Sequence, residues 1–386
     1  LRALIQLCHD QKRHSQTMEY CKTLLQVEPH DAPTWIMCGE AQAQHGLVEE
    51  ARATLHYLNT HLNLLPPNPS EDPTPTPDLD IILALGIGRI HAYLHEAEEA
   101  KGWFKIVHQH QPDHLEAWYG MALLFYQLGK FEQSLAHAEQ VLVRNASHLG
   151  AQILALQCRV WLKDFTPMLT AASSLMISDP YQLPVVRLYG YAQRELGQLE
   201  AALQTYSDAL ERFPYEDELW AMHGLTLYQL DRSEEARLSL KHACQLRPTH
   251  PEHWFLYGMA QTQLEVGVKA WRKCVMLQPT HLRAWIYLGE ALSKLERWSE
   301  VDVAFGKALE LAPTNEQVLL RKAESGREVK SNQTPWWTLG GFAVVAVGAT
   351  LLVAGAVWWL KDRKDRRKGL IDDLKLEPMA VESPQL

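Results

Sequence analysis

Residues 217–250, DELWAMHGLTLYQLDRSEEARLSLKHACQLRPTH, decide the fold of this chain. The pattern places a tryptophan at Trp220, a small residue at Gly224 and alanines at Ala236 and Ala243. It predicts two short helices that pack against each other. Pro248 ends the second helix, because proline cannot donate the next backbone hydrogen bond.

The same pattern recurs with a period of 34 residues. Residues 183–216 align with it position by position, so that Gly190 corresponds to Gly224 and Pro214 to Pro248. Small residues let the first helix approach its partner closely, and we expect the alanines of the second helix to receive it. A single hairpin cannot bury its own apolar face, so the stack of hairpins is the folding unit.

This repeat resembles the tetratricopeptide repeat (TPR). The resemblance implies an all-α fold, a TPR superhelical solenoid of antiparallel helix hairpins. Residues 1–31 fit a repeat without its first three positions, so we expect the protein to begin upstream of Leu1. The repeat at 251–281 is three residues short, which we assign to the turn between its helices, and Leu156 replaces the small residue of another repeat. The complete predicted repeats are 32–65, 81–114, 115–148, 149–182, 183–216, 217–250, 251–281 and 282–315.

Residues 66–80 interrupt this spacing with a proline-rich stretch. Such a stretch favours extended backbone and predicts a spacer between the N-terminal repeats, 1–65, and the main array, 81–315. A ligand for a proline-binding domain is the alternative interpretation. After the array, residues 316–335 predict a capping helix and a juxtamembrane segment.

Residues 336–360 predict one C-terminal transmembrane helix, because they form an uncharged apolar run long enough to cross a bilayer. Tryptophans stand at both ends of the run, where an aromatic belt meets the two water interfaces. They are Trp336, Trp337, Trp358 and Trp359. Three glycines spaced seven residues apart, Gly341, Gly348 and Gly355, line one face of this helix and are candidates for helix packing or self-association.

The tail, 361–386, opens with a basic cluster that suits the anionic head groups of membrane lipids. The cluster consists of Lys361, Arg363, Lys364, Arg366, Arg367 and Lys368. The excess of positive charge on this side favours a cytoplasmic tail, with the repeats in the periplasm of a bacterial inner membrane. A tail-anchored arrangement with cytoplasmic repeats is the alternative, and the cysteines at repeat-core positions favour it mildly.

The TPR resemblance also implies a concave groove lined by helix A, the first helix of each repeat, at its second, fifth, ninth, twelfth and thirteenth positions. Aromatic and arginine residues at these positions are typical of binding hot spots, so we expect a partner protein or peptide with apolar anchors. Some of them are alternatively packing residues between repeats. None of the ninth positions is asparagine, which leaves a clamp for chaperone carboxylates unsupported. The candidate groove residues are Tyr119, Leu123, Tyr126, Ile153, Trp161, Arg187, Tyr191, Arg194, Leu225, Tyr228, Phe255 and Met259.

Other classes of function find no support in the sequence. The net charge of −9 argues against nucleic-acid binding. The six cysteines include no CxxC pair, and histidines such as His114 and His148 recur as turn residues rather than converging on one metal. No catalytic or phosphate-binding motif is present, so we predict neither an enzyme nor a cofactor.

These features predict a membrane-anchored scaffold or adaptor for other proteins, with a role in assembling a membrane or envelope complex. Two alternatives stay open at this point. The repeats could be the regulatory or substrate-recruiting arm of an enzyme whose catalytic domain lies upstream of Leu1, or the glycine face could build a structural homo-oligomer.

Overall fold

The computed structural model describes residues 1–11, 13–61, 80–179, 182–315 and 318–322, and these residues form helices and turns without a strand. They divide into two compact units, and the boundary between Ala171 and Ala172 lies within a helix. Several predicted segments lie outside the described residues. They are the proline-rich stretch from 66 to 79, most of the capping segment, the transmembrane run 336–360 with its tryptophans and glycines, and the basic tail.

The first unit is a stack of antiparallel helix hairpins. Each helix A has one apolar face against the second helix of its own repeat, helix B, and another against the preceding repeat, which explains why most helix A residues are buried. The helices are α1 (Arg2–Asp10), α2 (His14–Val27), α3 (Ala32–Gln44), α4 (Val48–His61), α5 (Ile81–Tyr93), α6 (Ala97–His110), α7 (Leu115–Gln127), α8 (Phe131–Arg144), α9 (Leu149–Trp161) and the first part of α10 (Phe165–Ser178).

The second unit continues the same hairpin pattern from Ala172. The helical segment 318–322 follows its last complete hairpin, and Val318 is fully buried in the core of this unit. The helices are α11 (Leu183–Glu195), α12 (Leu199–Arg212), α13 (Asp217–Gln229), α14 (Ser233–Leu246), α15 (Pro251–Met259), α16 (Leu264–Leu277), α17 (Leu282–Lys294) and α18 (Trp298–Leu311).

The turn between one repeat and the next is fixed by a tryptophan. The indole Nε1–H of Trp220 donates a 2.8 Å hydrogen bond to the carbonyl oxygen of Pro214, six residues earlier. Trp254 donates in the same way to Pro248 at 2.8 Å. Trp35, Trp118 and Trp285 do so as well. The proline that ends helix B therefore also supplies the acceptor that positions the next helix A.

The helix A glycines contact large side chains of helix B rather than its alanines, which corrects the packing expected from the sequence. A Cβ atom on Gly190 would lie 2.6 Å from the ring of Tyr206, and one on Gly289 would lie 2.7 Å from the ring of Phe305. The side chain in contact is the eighth residue of helix B in both hairpins. Glycine is needed here because it makes room for a ring.

The repeats on either side of the proline-rich stretch share one hydrophobic core. Ile36 of α3 packs onto Gly86 of α5, where an added Cβ would lie 2.3 Å from the isoleucine side chain. Ile90 packs onto Gly39 in the same manner. The proline-rich stretch therefore interrupts the sequence spacing without dividing the core.

None of the helices within the described ranges is long and apolar enough to cross a membrane. The predicted transmembrane helix falls outside those ranges.

Candidate functional site

The candidate site is the surface formed by the helix A positions named above, and in the first unit its most exposed member is Trp161. This indole ends α9 with 38% of its surface exposed. It stacks on the ring of Phe131 with centroids 5.0 Å apart and planes 2° apart. Its Nε1–H donates a 3.0 Å hydrogen bond to the hydroxyl of Tyr126. An exposed aromatic side chain is thus held in one orientation.

Tyr126 completes this aromatic cluster. Its ring meets Phe131 edge-on at a centroid distance of 5.4 Å. Burial is the main cause that raises the pKa of Tyr126, and the hydrogen bond from Trp161 opposes it in part. The tyrosine therefore stays neutral and available as an acceptor for the indole. We call Tyr126, Phe131 and Trp161 the aromatic cluster of the first unit.

The other predicted residues of the first unit differ in exposure. Tyr119 packs against the ring of His148 at 4.8 Å, and burial raises the pKa of this tyrosine to about 12. Ile153 is half-buried. Leu123 has 1% of its surface exposed, so it is a core residue and cannot contact a partner. Its assignment to the groove is corrected accordingly.

A partly buried ion pair also lies at the ninth positions of two repeats in this unit. The guanidinium Nε of Arg89 donates to the Glu40 carboxylate at 2.7 Å, and His9 Nε2 lies 3.0 Å from the other oxygen. Burial by itself raises the pKa of Glu40, but Arg89 and His9 together outweigh it and hold the pKa below its usual range. The sequence shows the two opposite charges at equivalent positions, which was the available signal for this contact.

In the second unit, the two predicted arginines are neutralised inside the fold. Arg187 pairs with Glu218 of the next helix A. Arg194 is 4% exposed, donates to Glu195 at 3.0 Å, and lies 4.9 Å over the ring of Tyr191. Tyr191 is itself 7% exposed. Arg194 and Tyr191 therefore pack within the repeats, which corrects their assignment as groove residues.

Leu225 and Phe255 are also core residues, since each has 1% of its surface exposed. The ring of Phe255 is covered by the guanidinium of Arg283 at 4.9 Å and by the edge of Tyr287 at 5.4 Å. Their groove assignments are corrected for the same physical reason. Neighbouring side chains bury them, so their surface is not accessible to a partner.

Tyr228 and Met259 line a cavity of about 370 Å³ in the second unit. Its other walls include Trp271 of α16 and both Glu290 and Lys294 of α17. No sequence motif predicted this cavity. It lies beside the repeat 251–281, which is the short one.

The short repeat loses its residues from helix A and not from the turn, contrary to the sequence-based assignment. Helix α15 has 9 residues, whereas α13 and α17 have 13 each. The connection after α15 extends from Ala260 to Gln263 and is one residue longer than the connection after α13. About one helical turn of helix A is therefore missing, and the cavity occupies that region.

The remaining candidates for chemistry are the histidines and cysteines. No group of three or more His, Cys, Asp or Glu residues in the described ranges is arranged to hold a metal ion. His91 bonds to Glu96 at 2.8 Å, and all six cysteines are buried thiols. Burial raises the pKa of Cys244 to about 12, which keeps this thiol protonated and unreactive.

Comparison with known proteins supports the repeat assignment. The tetratricopeptide repeat family model matches residues 85–149 and 187–251. Comparison with curated protein sequences gives no match.

Solved structures that are similar in fold include the following two. A tetratricopeptide repeat protein from Parabacteroides merdae aligns with a TM-score of 0.53 and 12% identity, over 68% of this chain and 98% of the other. The APC/C hetero-tetramer Cut9-Hcn1 aligns with a TM-score of 0.52 and 14% identity, over 72% of this chain. The alignment covers about half, 52%, of the matched chain in that second structure. Residues 85–149 and 187–251 match the tetratricopeptide repeat, and the described residues have the same all-helical repeat fold as these two solved structures.

Proposed function

We propose that the chain is a membrane-anchored scaffold that holds segments of partner proteins against the helix A surface of its repeats. The observation that carries this proposal is Trp161, an indole that is 38% exposed and yet fixed by a ring stack and a hydrogen bond. A large aromatic surface that is already ordered binds at little cost in side-chain entropy. Covering it also removes apolar surface from water.

The tether is the sequence-based part of the proposal. The apolar run 336–360 crosses a bacterial inner membrane, and the basic cluster that begins at Lys361 contacts anionic lipids on the cytoplasmic side. The repeats then face the periplasm, where they gather partners during assembly of an envelope complex. A reporter enzyme fused after Leu386 tests this orientation. Activity only in a cytoplasmic assay supports it, and activity only in a periplasmic assay contradicts it.

Site-specific crosslinking tests the binding surface. A photoreactive amino acid at Trp161 is compared with the same group at Val143, which is 79% exposed on helix B of the same unit. We expect discrete crosslinked products from position 161 and none of the same mass from position 143. Equal products from both positions would show that the aromatic cluster is not the contact surface.

Trp161→Ala provides the matching loss of function. We expect it to reduce partner capture by about tenfold or more, which is typical for a hot-spot aromatic residue. Val143→Ala is the control and leaves capture unchanged.

A further inference from the structure

The cavity beside α15 has the walls of a side-chain pocket. Met259 and Trp271 are almost completely buried and form its apolar wall. The small residues Gly258, Ala260 and Ala291 also line it and leave the space open. A volume of about 370 Å³ far exceeds the roughly 30 Å³ that one water molecule occupies in the liquid. It lies at the lower end of the range of ligand pockets, about 300–1,000 Å³.

The apolar wall is held rigidly. The Trp271 indole donates a 3.2 Å hydrogen bond to the carbonyl oxygen of Phe255, and its ring lies 5.7 Å from that of Tyr287. Helix α15 ends at Met259, and the side chain of Gln261 caps it by donating to Tyr257 at 2.9 Å. The pocket therefore exists without a rearrangement of its walls.

One positively charged side chain, Lys294, lines the pocket. Among its lining residues, Glu290 and Lys294 of α17 are charged, and Glu290 pairs with Arg321. Lys294 is exposed and forms no ion pair with another described residue. An apolar wall next to an unpaired ammonium group matches an apolar side chain that is accompanied by a carboxylate.

We propose that this pocket receives one large apolar side chain from a partner segment, with an acidic neighbour of that side chain paired to Lys294. The inference extends the proposed binding function to a second site with its own ligand chemistry. It does not depend on Trp161, since the two sites belong to different units.

The test uses the full chain with 13C-labelled methionine methyl groups and two blocked dipeptides, acetyl-Phe-Glu-amide and acetyl-Ala-Glu-amide. Met259 reports on the pocket, and Met276, which is 74% exposed on α16, is the internal control. We expect the phenylalanine peptide to shift the Met259 signal in a saturable way, because the ring current of the inserted ring acts on that methyl group. The alanine peptide should bind at least tenfold more weakly.

Two matched pairs of variants complete the test. Thr262→Trp obstructs the pocket from an exposed position, whereas Thr249→Trp places the same ring on an exposed turn outside it. We expect the first to lower probe affinity at least tenfold and the second to leave it unchanged. Lys294→Glu should weaken binding about fivefold, while Lys269→Glu, on the exposed side of α16, should not.

Equal responses of Met259 and Met276, or unchanged affinity in Thr262→Trp, would overturn the proposal. The outcome is separate from that of the crosslinking at Trp161, which can succeed or fail independently, because this probe is measured on purified protein without any partner.

Discussion

The repeats 217–250 and 251–281 are neighbours in one unit and differ in the length of helix A. The first has a helix A of 13 residues, and the second has a helix A of 9. At the eighth position of helix B, the first carries Leu240 and the second carries Trp271, and each packs onto the glycine of its own helix A. The Trp271 indole forms one wall of the pocket, and the end of the shortened α15 forms another. A repeat array can thus contain a cavity where one helix is short while the neighbouring repeats keep their packing.

Truncation of the two equivalent side chains has the largest expected effect. Trp271→Ala should lower the free energy of unfolding by roughly 3–5 kcal/mol, because a large buried side chain is lost beside an existing cavity. Leu240→Ala should cost less, about 2–3 kcal/mol, since fewer contacts disappear. Urea unfolding followed by circular dichroism measures both. A smaller cost at Trp271 than at Leu240 would show that the indole does not support the short repeat.

Acid should destabilise the short repeat through His253, whose counterpart in the neighbouring repeat is Leu219. His253 is fully buried, and burial, followed by the nearby His250, lowers its pKa from 6.5 to about 4 against the opposing charges of Asp217 and Glu252. The unfolded chain therefore takes up this proton first as the pH falls. Stability present above pH 6.5 should be lost between pH 6.5 and about 4, by roughly 3 kcal/mol.

The variant His253→Leu restores the residue type of the neighbouring repeat and removes this contribution. We expect a flatter dependence of the unfolding free energy on pH between 4 and 6.5. The same slope as in the parent protein would mean that other groups cause the acid sensitivity.

Substitution of the helix A glycines tests whether Trp271 is held more rigidly against its glycine than Leu240 is. A Cβ on Gly258 would lie 2.6 Å from Trp271 Nε1, and a Cβ on Gly224 would lie 2.6 Å from Leu240 Cγ. The leucine is held by packing alone, whereas the indole is also restrained by its hydrogen bond to Phe255. Gly258→Ala should cost about 1–3 kcal/mol even after the better helix propensity of alanine, and Gly224→Ala should cost less. Thermal unfolding of both variants decides this, and equal losses would contradict the difference in rigidity.

The smallest effects are expected where the two repeats are alike. Trp220→Phe and Trp254→Phe each remove one indole hydrogen bond to a proline carbonyl and keep most of the ring. Each should cost about 1 kcal/mol, and the two costs should agree. Hydrogen exchange of α13 and α15, the helices that carry the two tryptophans, measures the local change. A clear difference between them would show that the short repeat also alters its turn.

Much of the fold could be predicted because its signals are local. Pro214 and Pro248 end helices by their own chemistry, and the tryptophan six residues after each one lies within reach of its carbonyl. The partners of the glycines could not be predicted in the same way. Gly190 contacts Tyr206 through the packing of two helices, and the sequence pattern of small residues fits alanine contacts equally well.

The candidate site was harder to predict because exposure depends on neighbouring side chains. Trp161 and Leu123 both occupy helix A positions assigned to the groove, yet one is 38% exposed and the other 1%. The pocket depends on whether the three missing residues shorten the turn or helix α15. The length of residues 251–281 shows that residues are missing, but a shorter turn and a shorter helix α15 give the same length.

The most direct test of the link between the short helix α15 and the pocket restores the missing length. A three-residue insertion, Ala-Glu-Ala, after Met259 gives the repeat 251–281 the same number of residues as its neighbour and allows α15 to extend by about one turn. The measurement is the Met259 methyl response to acetyl-Phe-Glu-amide, with the helical content followed by circular dichroism. We expect increased helical content and loss of the response, because the added turn fills the pocket. A folded insertion variant that still binds the peptide with unchanged affinity would contradict it.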